Sequence, residues 1–158
     1  MQHLPAVDRD STHPEREWIM RLTRAGEYAI RCVFFMARHE RERVISLNEI
    51  AEAMEIPKQF LSKIVQQLSR SGIIEIYQGP KGGCRLLVSP EKLSLLDVVE
   101  TIMGEITLND CDSRSAPCKK QVACVAQPVW SKAKSQLRQT LREATFDKLV
   151  SSIGWPTP

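Results

Sequence analysis

Features that mark membrane proteins, secreted proteins and many enzymes are missing from this sequence of 158 residues. It contains no apolar run that approaches the roughly 18 residues needed to span a bilayer. Residues 1–19 contain no apolar signal core and carry four acidic side chains, so the sequence favours a cytoplasmic protein without membrane contact. No nucleophile–base pair or pair of catalytic carboxylates stands out, and the histidines lie at positions 3, 13 and 39. The sequence therefore predicts a protein that is not an enzyme.

The composition is that of an ordinary globular domain with a basic middle section. Hydrophobic residues make up 42% and charged residues 26% of the chain, and its length fits one domain with an appended element. Residues 20–92 carry twelve basic and eight acidic side chains. A nucleic-acid partner is compatible with this excess, but charge alone does not establish one.

Capping residues and apolar spacing predict three helices in the first half of the chain. Thr23 can cap the first helix, and Ser46 and Glu49 have the spacing of a capping box at the start of the second. Pro57 is a favoured first residue for the third helix, and Gly72 can end it in a left-handed conformation. The second and third helices, separated by about four residues, have the pattern of a helix-turn-helix.

A β-hairpin and one further helix follow. The run IIEIYQGPKGGCRLLVS over 73–89 has β-branched residues on both sides of a glycine-rich basic tip, which is typical of the wing of a winged helix. The tip lacks the Gly-Lys-Ser/Thr ending of a nucleotide-phosphate loop. Ser94 and Asp97 then have capping-box spacing, and Gly104 can end the helix that they begin. The predicted fold class is mainly α with a small β-hairpin.

The exposed side of the third helix is a candidate DNA-reading surface, although polar residues on a helix often mean only contact with solvent. The order capped helix, polar helix and basic hairpin favours DNA binding over that alternative. Gln59 and Ser62 are predicted to read base edges, and Lys63 to bind either guanine or phosphate. The residues predicted to bind phosphate are Lys58, Lys81 and Arg85.

A long helix is predicted near the C-terminus, opened by Pro128. Its apolar and small residues recur at steps of three and four, so we expect it to pair with another helix, such as one from a second subunit. The residues of this stripe are Trp130, Ala133, Leu137, Leu141 and Ala144. The predicted segments are a disordered polar tail over 1–19, a winged helix-turn-helix over 20–104, a cysteine-rich loop over 105–127, a dimerisation helix over 128–150 and a tail over 151–158.

Three of the five cysteines lie within the run CDSRSAPCKKQVAC. In a reducing location, clustered cysteines are more often metal ligands or redox groups than disulfides. The gaps of six and five residues between Cys111, Cys118 and Cys124 match neither zinc fingers nor ferredoxins. Three thiolates in one loop suggest a soft-metal site that lacks one ligand. We assign no role to Cys84 and expect Cys32 to pack in the core.

Taken together, these segments resemble the IscR and NsrR family of bacterial iron–sulfur and redox-responsive transcription regulators. The resemblance covers about residues 20–150 and rests on MRLTRAGEYAIR, IAEAMEIPKQFLSKIVQQLSRSGII, GPKGGCRLLVSPEKLSLLDVVETIMG and the three-cysteine loop before a tryptophan-containing helix. It implies a homodimer that reads a palindromic DNA operator. It also implies that the three loop cysteines hold a 2Fe–2S or 4Fe–4S cluster.

The fourth ligand is where this sequence departs from one branch of the family. The position of a ligating histidine in that branch is Gln127 here, a poor iron ligand. The nitric-oxide-sensing branch uses a carboxylate from the first helix of the partner subunit, and the matching position is Glu27. Glu27 can equally be an ordinary exposed acid. The first cysteine gap is six residues, where five is commoner in the family.

The resulting hypothesis is a homodimeric, DNA-binding regulator that senses redox state, nitric oxide or iron status through an iron–sulfur cluster. One alternative is a cluster-free regulator of the same fold, controlled by thiol oxidation or by a partner protein. Another is a metal-binding interaction protein that does not bind DNA. The sequence does not specify the operator, the target genes, the direction of regulation or the signal.

Overall fold

The computed structural model describes residues 22–39, 42–108 and 125–152. The predicted tail over 1–19 and most of the predicted cysteine-rich loop lie outside these described residues. Among the described helices, none combines the length and the hydropathy of a bilayer-spanning segment. The mainly α fold with one antiparallel hairpin confirms the predicted fold class. The elements are α1 Arg24–Ala37, α2 Leu47–Ala53, α3 Lys58–Arg70, β1 Ile74–Tyr77, β2 Gly83–Leu86, α4 Leu95–Met103, α5 Gln127–Glu143 and α6 Phe146–Ser152.

Helix α1 runs through the centre of the core. It begins as predicted at Thr23, whose Oγ1 accepts a hydrogen bond from the Gly26 amide at 3.2 Å. Its buried face packs against α3, α4, α6 and β2. Ala29, Cys32 and Val33 have no exposed surface, which confirms that Cys32 is a packing residue.

The helix-turn-helix is formed by α2 and α3. Ser46 caps α2 by accepting a hydrogen bond from the Glu49 amide at 3.2 Å, whereas the Glu49 carboxylate pairs with Arg43 at 2.6 Å. Half of the predicted capping box is therefore present.

The turn between α2 and α3 follows directly. In it Glu55 has φ +53°, and the Ile56 amide donates a hydrogen bond to the Ala51 carbonyl at 3.0 Å. The positive φ of Glu55 and this hydrogen bond give the short turn a defined geometry.

Helix α3 buries Leu61, Ile64, Val65 and Leu68. The apolar spacing of this helix in the sequence also predicts Phe60 in the core, but Phe60 is 46% exposed because it lies on the flank of the helix. The helix ends as predicted before Gly72, which has φ +74°. The Gly72 amide donates to the Ser69 carbonyl and the next amide to the Leu68 carbonyl, both at 3.0 Å.

The predicted wing is an antiparallel hairpin of β1 and β2, with Ile74 opposite Leu86 and Tyr77 opposite Gly83. Ile45 extends this sheet by exchanging two backbone hydrogen bonds with Cys84, at 2.8 and 2.9 Å. A Cβ atom at Gly83 would overlap the Ile45 carbonyl. Glycine at this position therefore allows the chain before α2 to lie directly against the wing.

The C-terminal region differs from the single helix predicted over 128–150. Helix α5 ends at Glu143, Thr145 forms a β-bridge with Ser94, and α6 begins at Phe146. The Phe146 amide donates to the Leu93 carbonyl at 3.0 Å, and its side chain is fully buried in the core. Because this bridge pins the chain to the start of α4, it breaks the helix and directs α6 onto α1.

We expect Phe146→Ala to lower the free energy of unfolding by about 3–5 kcal/mol, because it removes a fully buried aromatic ring that the core cannot replace. Val44→Ala is the matched control, since Val44 is 36% exposed, and it should cost less than about 1 kcal/mol. Urea unfolding followed by circular dichroism, at one protein concentration, checks both values. Equal losses in the two variants would contradict the central place of Phe146 in the core.

Candidate nucleic-acid interface

The side of α3 opposite the core carries a row of polar and basic side chains. Lys58, Gln59 and Lys63 are exposed on its first two turns, as predicted for DNA contacts. The amphipathic pattern places them there, since the buried residues of α3 recur at steps of three and four and leave the other face to solvent. Long, unburied side chains at the start of such a helix have the reach to enter a DNA groove.

Ser62 is the predicted base reader whose hydroxyl proton is already engaged. Its Oγ donates to the Lys58 carbonyl at 3.0 Å within the same helix. The hydroxyl oxygen still has free lone pairs, so in this conformation it can accept a hydrogen bond from an amino group of a base. Donating to a base would require the intrahelical bond to break.

The tip of the wing presents a further basic side chain. Lys81 is exposed in the turn between β1 and β2. Within the described part of the chain, the ammonium groups of Lys58, Lys63 and Lys81 form no ion pair. Their positive charge is thus available to phosphate groups.

Arg85, the last predicted phosphate ligand, is held by acidic side chains. Its Nε and Nη2 donate to the Glu75 carboxylate at 3.2 and 3.1 Å, and Nη1 donates to Glu42 at 2.7 Å. Its guanidinium also lies 5.4 Å from the centre of the Tyr77 ring. The hydrogen bond from Tyr77, together with Arg85, lowers the pKa of Glu75. Arg85 therefore ties the two strands of the wing to the chain before α2.

Sequence reasoning missed the acidic partners of Arg85. The register of the hairpin puts Glu75 directly opposite Arg85, and this cross-strand pairing is visible only once the register is known. Glu42 lies 43 positions before Arg85 in the chain. The alternation of residues in the hairpin was the available signal for Glu75, whereas no local signal existed for Glu42.

Glu27, the candidate fourth iron ligand, lies in the first turn of α1. Its carboxylate pairs with Arg31 at 2.5 Å and its side chain is 47% exposed, so a second chain can reach it. Cys111, Cys118 and Cys124 lie outside the described residues. Among the described residues, no three His, Cys, Asp or Glu side chains are grouped as a metal site.

The two described cysteines are buried, and burial disfavours their thiolate form. Burial raises the pKa of Cys32 far above its usual range and raises the pKa of Cys84 to about 11. Both thiols are therefore neutral at physiological pH, and the thiolate is the form that reacts with oxidants and binds metals. The Cys84 Sγ lies 3.9 Å from the Met36 Sδ, which is a core contact.

The predicted dimerisation stripe lies on α5, a helix with no buried residue within this single chain. Trp130 is 46% exposed, whereas Ala133, Leu137 and Leu141 are partly covered. Ala144 caps the end of the helix. Leu137 and Leu141 line an apolar groove of about 590 Å³ between α1, α4 and α5. Helix α5 thus leaves its first turns open to another chain.

Comparison with known proteins gives one consistent result. Residues 22–152 match the family model Rrf2, described as iron-dependent transcriptional regulator. The regulator NsrR of Shouchella clausii is 28% identical over 132 residues, which cover 83% of this chain and 89% of NsrR. CymR, the global cysteine regulator of B. subtilis, has a TM-score of 0.69 at 20% identity, with 85% of this chain and 99% of CymR covered. IscR of T. potens has a TM-score of 0.67 at 21% identity, with 88% and 94% covered.

We expect Lys81→Ala to reduce the salt dependence of DNA binding, measured as log K against log [salt], by about one unit, because one phosphate contact is lost. Arg85→Ala should leave that slope unchanged. It should lower the free energy of unfolding, because the carboxylates of Glu42 and Glu75 lose their ion-pair partner. Fluorescence anisotropy at several salt concentrations, with urea unfolding of the same samples, measures both quantities. A slope that falls equally in both variants would show that Arg85 also binds phosphate.

Proposed function

The chain belongs to the Rrf2 family of transcriptional regulators, and we propose that it is a cytoplasmic homodimer that binds a palindromic operator and senses its signal through an iron–sulfur cluster. The observation that supports DNA binding best is the combination of unpaired lysines on α3 and on the wing tip. Its relatives and structural neighbours are transcriptional regulators and not enzymes. The sensed signal in this proposal is redox state, nitric oxide or iron status.

In the proposed complex, α3 lies in the major groove and the wing follows the adjacent backbone. Gln59 and Ser62 read base edges, and Lys63 binds guanine or phosphate. Lys58 and Lys81 hold the backbone, which fixes the register of α3 on the duplex without reading sequence. Arg85 contributes by keeping the wing in place through Glu75. Two copies of this surface, related by a two-fold axis, fit the two halves of a palindrome.

The proposed dimer interface is formed by α5 and the groove beside it. The exposed Trp130 and the partly covered Ala133, Leu137 and Leu141 provide the apolar stripe for a second subunit. Ala144, at the end of the helix, closes the stripe. The helix is already anchored to its own subunit by ion pairs of Lys134 with Glu105 and of Arg138 with Glu100. The orientation of the stripe is thereby set before the second subunit binds.

The proposed cluster ligands are Cys111, Cys118 and Cys124 of one subunit and Glu27 of the other. The exposure of Glu27 supports its proposed role as a ligand, because its side chain is about half exposed on the first turn of α1. Three thiolates and a carboxylate suit iron, and a bound cluster would supply chemistry that reacts with oxidants or nitric oxide. Glu27 would then hold α1 of its own subunit to the cysteine loop of the other. A coupling of about 1–3 kcal/mol through such a link changes operator affinity roughly 5- to 150-fold.

A second candidate is a regulator of the same fold that has no cluster. Gln127, in place of a ligating histidine, favours this second candidate, as does the structural similarity to CymR, the global cysteine regulator of B. subtilis. Thiol oxidation or a partner protein would then control DNA binding. Iron and sulfide analysis separates the two candidates.

We expect Lys63→Ala to weaken operator binding about tenfold, or about 1.4 kcal/mol, because Lys63 is an exposed basic residue on the reading face of α3. Lys92→Ala is the matched control, since Lys92 is an exposed lysine outside α3 and the wing, and its affinity should stay within about twofold of wild type. Anisotropy titrations against a duplex selected from a random library by the wild-type protein measure the affinities. Unchanged binding by Lys63→Ala would favour an interaction protein that does not read DNA.

We expect simultaneous substitution of Cys111, Cys118 and Cys124 by alanine to abolish bound iron and acid-labile sulfide in anaerobically purified protein. Cys32→Ala is the control, because Cys32 is fully buried in the core, and it should retain both at the wild-type level. Visible absorption spectra and chemical determination of iron and acid-labile sulfide, both on the same samples, measure the cluster content of each variant. The triple variant should also lose any difference in operator affinity between cluster-loaded and cluster-free protein. Wild-type protein that stays colourless after cluster reconstitution would leave the cluster-free regulator as the function.

A further inference from the structure

We propose that Arg31 is a positioning residue that joins the first turn of α1 to both helices of the helix-turn-helix. Through this link, the affinity for DNA depends on whether the Glu27 carboxylate pairs with Arg31 or with another group. The proposal rests on the proposed DNA-binding function. It does not depend on the presence of a cluster, because each contact that carries it lies within the described residues of one chain.

Arg31 contacts three other residues, two on its own helix and one at the end of α2. Its Nη2 donates to Glu27 at 2.5 Å, one turn earlier on α1. Its Nη1 lies 3.5 Å from the carbonyl oxygen of Met54, at the end of α2. Its guanidinium carbon lies 5.9 Å from the centre of the Tyr28 ring, within the range of a cation–π interaction. An ordinary ion pair between residues one turn apart contributes little by itself, so the other two contacts distinguish this arginine.

The contact with Met54 places a positive charge at the C-terminal end of α2. Met54 is the C-cap residue, and α2 has no basic residue in its own last turn. The carbonyl groups at a helix C-terminus carry partial negative charge and lack helical partners, so a cation there is stabilising. The next residue, Glu55, has the positive φ of the turn. Arg31 therefore acts at the point where the chain leaves α2 for α3.

Arg31 is also linked to α3, through Tyr28 and Phe60. The rings of Tyr28 and Phe60 lie 6.2 Å apart at an interplanar angle of 59°, a common tilted arrangement of aromatic pairs. Phe60 is the third residue of α3 and follows the base reader Gln59. Because Phe60 is 46% exposed and lies outside the core, Tyr28 is an important support for the first turn of α3.

These contacts connect Glu27 to the reading face through Arg31. A carboxylate that pairs with Arg31 draws the guanidinium towards the start of α1. A carboxylate that is engaged by another group holds it less strongly, so Arg31 moves relative to Met54 and Tyr28. Either movement changes the support of the turn and of Phe60, and thus the angle at which Gln59 and Lys63 meet DNA.

A double-mutant cycle tests the link. Full-length Arg31→Gln, Phe60→Leu and the double variant are compared with wild type, all stripped of metal by an anaerobic chelator. Affinities are measured for the duplex that the wild-type protein selects and for a scrambled duplex. We expect each single variant to lose about 3- to 10-fold in affinity for the selected duplex, with little change for the scrambled one. The double variant should lose at least threefold less than the product of the single losses, because both substitutions break the same link.

Arg24→Gln is the matched control, since Arg24 is an exposed arginine at the start of the same helix. Combined with Phe60→Leu, it should give multiplicative losses. Thermal unfolding of all variants separates a positioning role from loss of folding, and melting temperatures within a few degrees of wild type are expected. If the Arg31 and Phe60 losses multiply while wild type binds its duplex tightly, the proposed link is wrong and DNA binding stands. If the wild-type protein selects no duplex, the proposed function itself fails.

Discussion

The burial of α1 is the constraint on which the rest of this structure depends. One face of the helix packs against α3, α4, α6 and β2, so the second helix of the helix-turn-helix, the wing and the C-terminal region all rest on the same surface. Close packing of this kind transmits displacement, because a core without voids cannot absorb it locally. The opposite face of α1 carries Glu27 and Arg31 at the surface. Helix α1 therefore contacts α3 through its buried face and the end of α2 through Arg31 at the surface.

The basic side chains of α3 and the wing fall into two groups, exposed lysines without ion pairs and an arginine that is held by carboxylates. The lysines of α3 and the wing tip are unpaired among the described residues, whereas Arg85 is enclosed by Glu42, Glu75 and the Tyr77 ring. A basic residue already bonded to two carboxylates has to give them up before it binds phosphate. Arg85 therefore supports the wing, whereas the exposed ammonium groups of the lysines are the ones available for phosphate in the proposed DNA complex.

The predictability of the candidate site follows the range of the interactions involved. Thr23, Ser94 with Asp97, and Gly72 act within one helical turn, and the structure confirms each of these local signals. The exposed face of α3 was predictable for the same reason, since helical periodicity depends on neighbours three and four positions away. Phe60 was placed in the core because periodicity does not distinguish the flank of a helix from its centre. The cluster ligands in the loop remain predictions, because they lie outside the described residues.

The sequence by itself determined the order of the elements, the caps, the polar face of α3 and the family, because these follow from local chemistry and from motifs read along the chain. Only the tertiary structure decided that a β-bridge breaks the C-terminal helix at Thr145 and sends Phe146 into the core. It also decided that Arg85 is enclosed by acids and that Arg31 reaches the end of α2. These contacts join residues that lie at least 10 positions apart in the chain, so their energies depend on how the elements pack. Except for the hairpin pair of Glu75 and Arg85, they leave no local pattern in the sequence.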